Sequence, residues 1–334
     1  MVTGNGGCDR DAAPGTINYE ADPVVVDGVV FLPLSDVRLA REALSYEPRP
    51  GDVILATFPK SGTTWCQYLI WGIHNLGAVK DGSMPPVQDV LTQHFPYIDL
   101  LGTSSTVADR PPPRFIKTHL PAERVHRPSG SGVKYVVCLR NPFDVAVSFF
   151  HMRLGRRGLT RLPPDYGFDH FLDEFLSGGL VGGDPFGHAR AWHDRSKVHD
   201  NVLVVYYEVL KEEPGKVVLD LAKFLSPDAA ARLSAEPGLL ERLLEQTSLK
   251  RLRDLTGAEN FAEGDFSRQH PTAALFRKGI VGDWRSHFSR DQERRFREAY
   301  DRALAGTEMH DFWTEHVNGA AIDAGRRPLL GVVQ

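Results

Sequence analysis

Lys60-Ser61-Gly62-Thr63-Thr64 brings together what an anion needs: a full positive charge, three hydroxyl donors and a glycine that lets backbone N–H groups come close. The run follows the apolar, β-branched segment Val53-Ile54-Leu55-Ala56-Thr57-Phe58. It precedes Trp65, Tyr68, Leu69, Ile73 and Leu76, which fall at helical spacing. A strand feeding a helix through such a loop presents an anion to the helix N-terminus, where free N–H groups and the dipole favour it. Phosphate and sulfate both fit. The order of residues departs from the G-x-x-x-x-G-K-[ST] loop, since Lys60 precedes Gly62, so magnesium-dependent ATP chemistry is not implied. Taken alone, the segment also reads as an ordinary turn capped by Ser or Thr. A second pair, Lys117 and His119, stands at the end of Arg114-Phe115-Ile116-Lys117, and strand alternation places both side chains on one face. A cation beside a base suits proton abstraction with charge stabilisation. Zinc hydrolysis is a poor rival, because no HExxH occurs and His188 and His193 are five apart.

These groups need a scaffold, and the chain spells one out. Strands are predicted at 53–58, 114–117, 135–139 and 202–206, each a short apolar run. A helix is expected from Thr63 to a stop at Gly77, and another from Asn141-Pro142-Phe143-Asp144 to about Met152, with Asn as N-cap and Pro at the first helical position. Apolar strands alternating with helices imply an α/β fold with a central parallel sheet flanked by helices. Neither repeat nor linker divides the chain, so one domain is expected over 21–316, with loose tails at 1–20 and 317–334.

Composition limits the partners. With 39 basic and 43 acidic side chains the net charge is −4, which argues against a nucleic-acid or anionic-membrane binder. Cations for an anionic ligand must be concentrated locally. Cys8, Cys66 and Cys138 are too scattered for a disulfide framework or a zinc cluster, so reduced thiols and a cytoplasmic address are expected. No signal-like start and no apolar run long enough to span a membrane is present.

Thr57-Phe58-Pro59-Lys60-Ser61-Gly62-Thr63-Thr64-Trp65 closely resembles the 5′-phosphosulfate loop of the cytosolic sulfotransferases. Two further segments resemble that family in the same order: Arg140-Asn141-Pro142-Phe143-Asp144-Val145-Ala146-Val147-Ser148, and Arg277-Lys278-Gly279-Ile280-Val281-Gly282-Asp283-Trp284. The resemblance implies a fold related to nucleotide kinases, with 3′-phosphoadenosine 5′-phosphosulfate as sulfuryl donor, PAP as product and no metal. It implies that Lys60, Ser61, Gly62, Thr63 and Thr64 meet the 5′ end, and that Arg140, Ser148, Arg277, Lys278 and Gly279 meet the 3′-phosphate. Trp65, Tyr207, Thr247, Leu275 and Phe276 then surround the nucleoside. Lys117-Thr118-His119-Leu120-Pro121 is similar to the family's catalytic segment, which implies His119 as base and Lys117 as a sulfuryl-stabilising cation. Lys60 is then expected to assist the departing phosphate, with Ser148 restraining Lys60. Leu249 departs from the family pattern, where Phe usually follows Thr-Ser.

Acceptor walls are expected at 81–101, 155–167 and 260–275, with Phe58, Phe95, Tyr97, Phe149, Phe168 and Phe171 either as apolar surface near them or simply as core. A small phenolic, catecholic or hydrophobic alcohol acceptor fits better than a glycan. Arg285 to Glu293 matches the family's dimer motif poorly, with Ser289 for Thr and Arg290 for Val, which leaves monomer or dimer open. A related nucleotide-binding protein that dehydrates alcohols, or transfers nothing, is the alternative function.

Overall fold

A computed structural model describes residues 23–33, 35–126, 132–155, 162–256 and 276–318. The predicted tail 1–20 lies outside the described residues, and the boundary predicted at 316 falls inside the helix Glu308–Asn318. Four strands form the central sheet: β3 (Asp52–Thr57), β4 (Arg114–Thr118), β5 (Lys134–Leu139) and β6 (Val202–Tyr206). They are all parallel, in the order β4-β3-β5-β6. Every residue of β3 and β6 is buried, as expected for strands covered on both faces. The chain leaves β3 for β4 on one side and then crosses to β5 on the other. Such a switch point opens a crevice beyond the carboxyl ends of the strands, where ligands bind in sheets of this kind.

A small hairpin, β1 (Val24–Val26) with β2 (Val29–Phe31), stands outside the sequence-based strands. Asp27 and Gly28 turn it with φ of 50° and 80°, the left-handed conformations that a two-residue hairpin loop requires. The helix from Thr63 ends at His74, earlier than the predicted stop. There Asn75 turns its side-chain amide onto the Trp71 carbonyl at 2.8 Å, and Gly77 lies inside a second short helix, Leu76–Asp81. The helix from Pro142 continues one turn past Met152 to Gly155.

At the opposite end of the sheet from the crevice, Arg114 pairs with Asp52 at 2.5 Å, and both side chains are buried. Tyr46 Oη and the Arg49 N–H also donate to that carboxylate, each at 2.7 Å. Removing one member of a buried pair leaves the other charge uncompensated, so Arg114→Leu is expected to cost about 3–5 kcal/mol. Urea unfolding measures it. A loss under about 1 kcal/mol, the scale of an exposed pair, would mean that the pair contributes little.

Candidate active site

The carboxyl ends of all four strands deliver side chains to one cavity of about 670 Å³. Lys60, Gly62, Thr63, Thr64 and Trp65 follow β3, Lys117 and His119 come with β4, Arg140 and Ser148 follow β5, and Tyr207 follows β6. The distant Phe276, Arg277, Lys278 and Gly279 complete the wall. The sheet topology therefore gathers residues that are more than two hundred positions apart in the chain.

The loop after β3 is shaped for close approach. Gly62 is the N-cap of the helix Thr63–His74, with φ at 105° and no side-chain capping hydrogen bond. A Cβ at this position would lie 2.9 Å from the Tyr207 ring and 3.2 Å from Cys138 Sγ. Only glycine fits there. Lys60 also takes a positive φ, 70°, and its carbonyl accepts from Arg140 Nη1 at 3.1 Å. Arg140 in turn lies over the Tyr207 ring, 4.4 Å from its centroid. The plain reading of a Ser- or Thr-capped turn is thus set aside, because the cap is a left-handed glycine that leaves the helix N-terminus open to a ligand.

His119 is 9% exposed and doubly constrained. Its Nδ1 lies 2.7 Å from the Thr57 carbonyl, which can only accept, so Nδ1 carries the proton and Nε2 is the free base nitrogen. Burial, the Lys117 charge, His188 and the Lys60 charge hold the ring well below its usual 6.5, against the pull of the Thr57 carbonyl. The Thr57 hydroxyl meets Thr63 Oγ1 at 2.7 Å, which ties the histidine support to the anion loop. Tyr97 lies against both side chains, its ring centroid 5.0 Å from that of His119 and 4.1 Å from Lys117 Nζ.

The C-terminal basic segment is held by carboxylates that the sequence did not single out. Asp144, on the helix Pro142–Gly155, accepts from the Gly282 N–H at 2.7 Å and the Trp284 N–H at 3.1 Å. Asp283 binds Arg277 and Lys278. Glu208, just after β6, accepts from the Asn141 N–H at 2.8 Å and so fixes the turn that carries Arg140. The signal for Asp144 was its place inside the segment Arg140 to Ser148, and for Glu208 its place next to Tyr207. Tyr207 is pushed up to about 12, chiefly by burial, so its hydroxyl stays a donor at neutral pH.

Several expectations change. Ser61 lies behind the loop rather than on the cavity wall, with its carbonyl accepting from Cys138 Sγ at 2.9 Å. Thr247 bonds the Leu243 carbonyl and lines an adjoining recess of about 260 Å³ with Trp65 and Leu249. Leu275 and the stretch 260–275 lie outside the described residues, as does 156–161. Of the six candidate wall aromatics, only Tyr97 and Phe149 reach the cavity. Phe58, Phe95, Phe168 and Phe171 pack instead into aromatic clusters of the core. Leu32, Pro33, Leu91, Leu100, Met152 and Leu180 form the apolar wall in their place. Arg290 is exposed at the start of the helix Arg290–Leu304, where Ser289 and Gln292 make a capping box. Among the described residues no cluster of His, Cys, Asp or Glu could hold a metal ion, and no helix is long and apolar enough to cross a membrane.

A family profile described as the sulfotransferase domain matches residues 50–308, a span that includes every wall residue of the main cavity except Pro23, Leu32 and Pro33. The chain belongs to the sulfotransferase family. Sulfotransferase 1B1 of Canis lupus familiaris is 31% identical over 278 residues, which is 81% of this chain and 88% of the dog protein. The amine sulfotransferase of Oryctolagus cuniculus is 29% identical, over 84% of this chain and 89% of its own. Among solved structures, mouse sulfotransferase SULT7A1 complexed with PAP aligns with a TM-score of 0.67 at 25% identity, covering 88% of this chain and 98% of that one. Retinol dehydratase in a complex with retinol and PAP shares the fold, with a TM-score of 0.64 at 23% identity, over 81% of this chain and 86% of its own. This sulfotransferase therefore has the α/β fold expected of it, a parallel four-stranded sheet between helices.

Proposed function

We propose that this sulfotransferase moves a sulfuryl group from 3′-phosphoadenosine 5′-phosphosulfate to the hydroxyl of a small phenolic, catecholic or hydrophobic alcohol acceptor, with His119 as general base. The carrying observation is the His119 Nδ1 contact with the Thr57 carbonyl, which leaves Nε2 to take a proton in a cavity shared with Lys60, Lys117 and Ser148. The residues present suit the donor nucleotide. Gly62 leaves its helix N-terminus without a side-chain cap, and the buried Nε of Arg140 and the Nε and Nη1 of Arg277 have no hydrogen-bond partner among the described residues. Such buried donors call for an anion.

In this reading Lys60, Gly62, Thr63 and Thr64 hold the 5′ end of the nucleotide, and Ser61 supports the loop from behind. Trp65, Tyr207 and Phe276 enclose the base, while Arg140, Ser148, Arg277, Lys278 and Gly279 bind the 3′-phosphate. The bound donor supplies an activated sulfuryl group on a phosphate leaving group. His119 removes the acceptor proton at Nε2, and Lys117 places positive charge where the transferring oxygens gain negative charge. Lys60 is positioned to stabilise the departing phosphate, and Ser148 to restrain Lys60. The apolar wall from Leu32 to Leu180 supports a small hydrophobic acceptor over a glycan. A cytoplasmic address belongs to the same reading.

The pH dependence follows from the sign of the His119 shift. Only the neutral ring accepts a proton, and burial holds its pKa well below 6.5, so kcat/KM stays level as pH falls through 6.5 and drops only further down. An acid limb at or above 6.5 places the base elsewhere. The overall reading is tested by incubating the protein with sulfur-labelled donor and 2-naphthol, dopamine, an androgen and retinol in separate reactions. A labelled sulfate ester is the expected product. Tight PAP binding with no labelled product, or dehydration of retinol, overturns it in favour of a binding or dehydrating relative.

A further inference from the structure

The carboxyl end of β4 has an anchoring problem that the catalytic reading leaves open. The β4 ladder with β3 closes at Ala56 and Thr118, so the backbone N–H groups of His119 and Leu120 run beyond their sheet partners. Buried N–H groups without partners are costly. On the outer edge of β4, the segment at Pro96–Tyr97 runs alongside it: the Lys117 N–H donates to the Pro96 carbonyl at 3.0 Å, and Tyr97 pairs with Lys117 in a parallel bridge. Two residues further on, that register brings Asp99 to His119. One Asp99 oxygen accepts from the His119 N–H at 2.7 Å, and the other from the Thr118 hydroxyl at 2.6 Å. Thr118 Oγ1 itself accepts from the Leu120 N–H at 3.0 Å. Both orphan donors are thereby satisfied through one carboxylate.

We propose that Asp99 is a positioning residue for sulfuryl transfer: its carboxylate fixes the His119 backbone while the Thr57 carbonyl fixes the ring, and the two attachments together set the direction of Nε2. The proposal rests on the reading of His119 as the base. Asp99 is 4% exposed and is itself held from below by Ser35 Oγ, which donates to its backbone carbonyl at 3.3 Å. Burial raises its carboxyl to about 6, against the Thr118 hydroxyl, the His119 N–H and the Lys117 charge, so it is ionised at neutral pH. An ionised carboxylate makes short, strong bonds to N–H donors, and a strong anchor is what a base needs. Misplacement of a reacting group by about 1 Å costs roughly 10²-fold in rate.

Asp99→Asn keeps the size of the side chain but can no longer accept at both atoms. Its kcat for the productive acceptor of the panel is expected to fall roughly 10²-fold, with the donor KM and the PAP dissociation constant within about twofold of the parent. Nitrogen-15 NMR of histidine-labelled protein in complex with PAP supplies a readout that needs no acceptor. The His119 ring, assigned by loss of its signals in His119→Gln, is expected as a single Nδ1–H tautomer in the parent and as a tautomer mixture in Asp99→Asn. Thr118→Val, which removes one of the two anchors and keeps the packing volume, is expected to give a smaller change of the same kind. It serves as the test if Asp99→Asn does not fold. Unchanged tautomer and unchanged kcat in whichever of these variants folds overturn the clamp. Normal turnover in His119→Gln overturns the base reading instead, and a parent that sulfates nothing on the panel overturns the transferase reading while the NMR arm still decides the clamp.

Discussion

His119→Ala lowers sulfuryl transfer by roughly 10²- to 10⁴-fold, the usual range for loss of a general base, while PAP affinity stays within about twofold of the parent. The split is expected from the geometry. Arg140, Arg277 and Lys278, which the proposed reading puts at the nucleotide, stand on segments held by Glu208, Asp144 and Asp283, none of which bonds the His119 side chain. Losing the ring does leave the buried Thr57 carbonyl without its donor, worth about 1–3 kcal/mol of stability. A thermal melt of the variant separates that loss from the chemical one, and rates are compared well below its midpoint. His188 is a poor substitute for the missing base: it is buried against Phe58, and burial has pushed it down to about 3. Near-normal turnover in His119→Ala would falsify the assignment of the base.

What could be read from residues alone was the sheet and the anion loop, because both are local. The runs at 53–58, 135–139 and 202–206 announce buried strands by apolar content, and the loop announces itself by Lys60, Gly62 and their hydroxyl neighbours. The pieces that were missed depend on contacts between distant segments. Asp144 looks like a helix N-terminal acid until the Gly282 and Trp284 N–H groups are seen on it. Asp99 belongs to a short helix, Ile98–Leu101, whose meaning comes only from lying against the edge of β4. The division of the candidate acceptor aromatics between wall and core was hidden for a related reason. Side chains such as Phe58 and Phe171 have no polar atom to hold them at a wall, and the core gains more by burying them. The hairpin was legible and overlooked, since Asp27-Gly28 between β-branched runs is a strong turn signal. It matters because Leu32 and Pro33, just after it, line the cavity.

Lys60→Met is expected to slow transfer by roughly 10²- to 10³-fold, the loss that follows removal of one preorganised group stabilising transition-state charge. Methionine keeps most of the side-chain length and removes the charge, so the loop conformation is the part to verify. Lys60 holds a positive φ, which a non-glycine residue adopts at some cost, and Arg140 pins its carbonyl at 3.1 Å. Those restraints act on the backbone and survive the substitution. PAP carries the departing 5′-phosphate, so its affinity is expected to fall with the lost charge, whereas binding of the donor, in which that charge has not yet developed, is expected to fall far less than kcat. The comparison needs a lysine away from the cavity. Lys211 lines the cavity and is unsuitable, whereas Lys223 is 68% exposed on the helix Pro214–Leu225. Lys223→Met is the proper control and is expected to change kcat by less than twofold, as exposed surface substitutions do. Equal loss in the two variants means that net charge, rather than the placement of Lys60 beside the anion loop, governs the rate. A large loss confined to Lys60→Met, with single-turnover chemistry slowed and donor binding preserved, places this lysine at the departing phosphate.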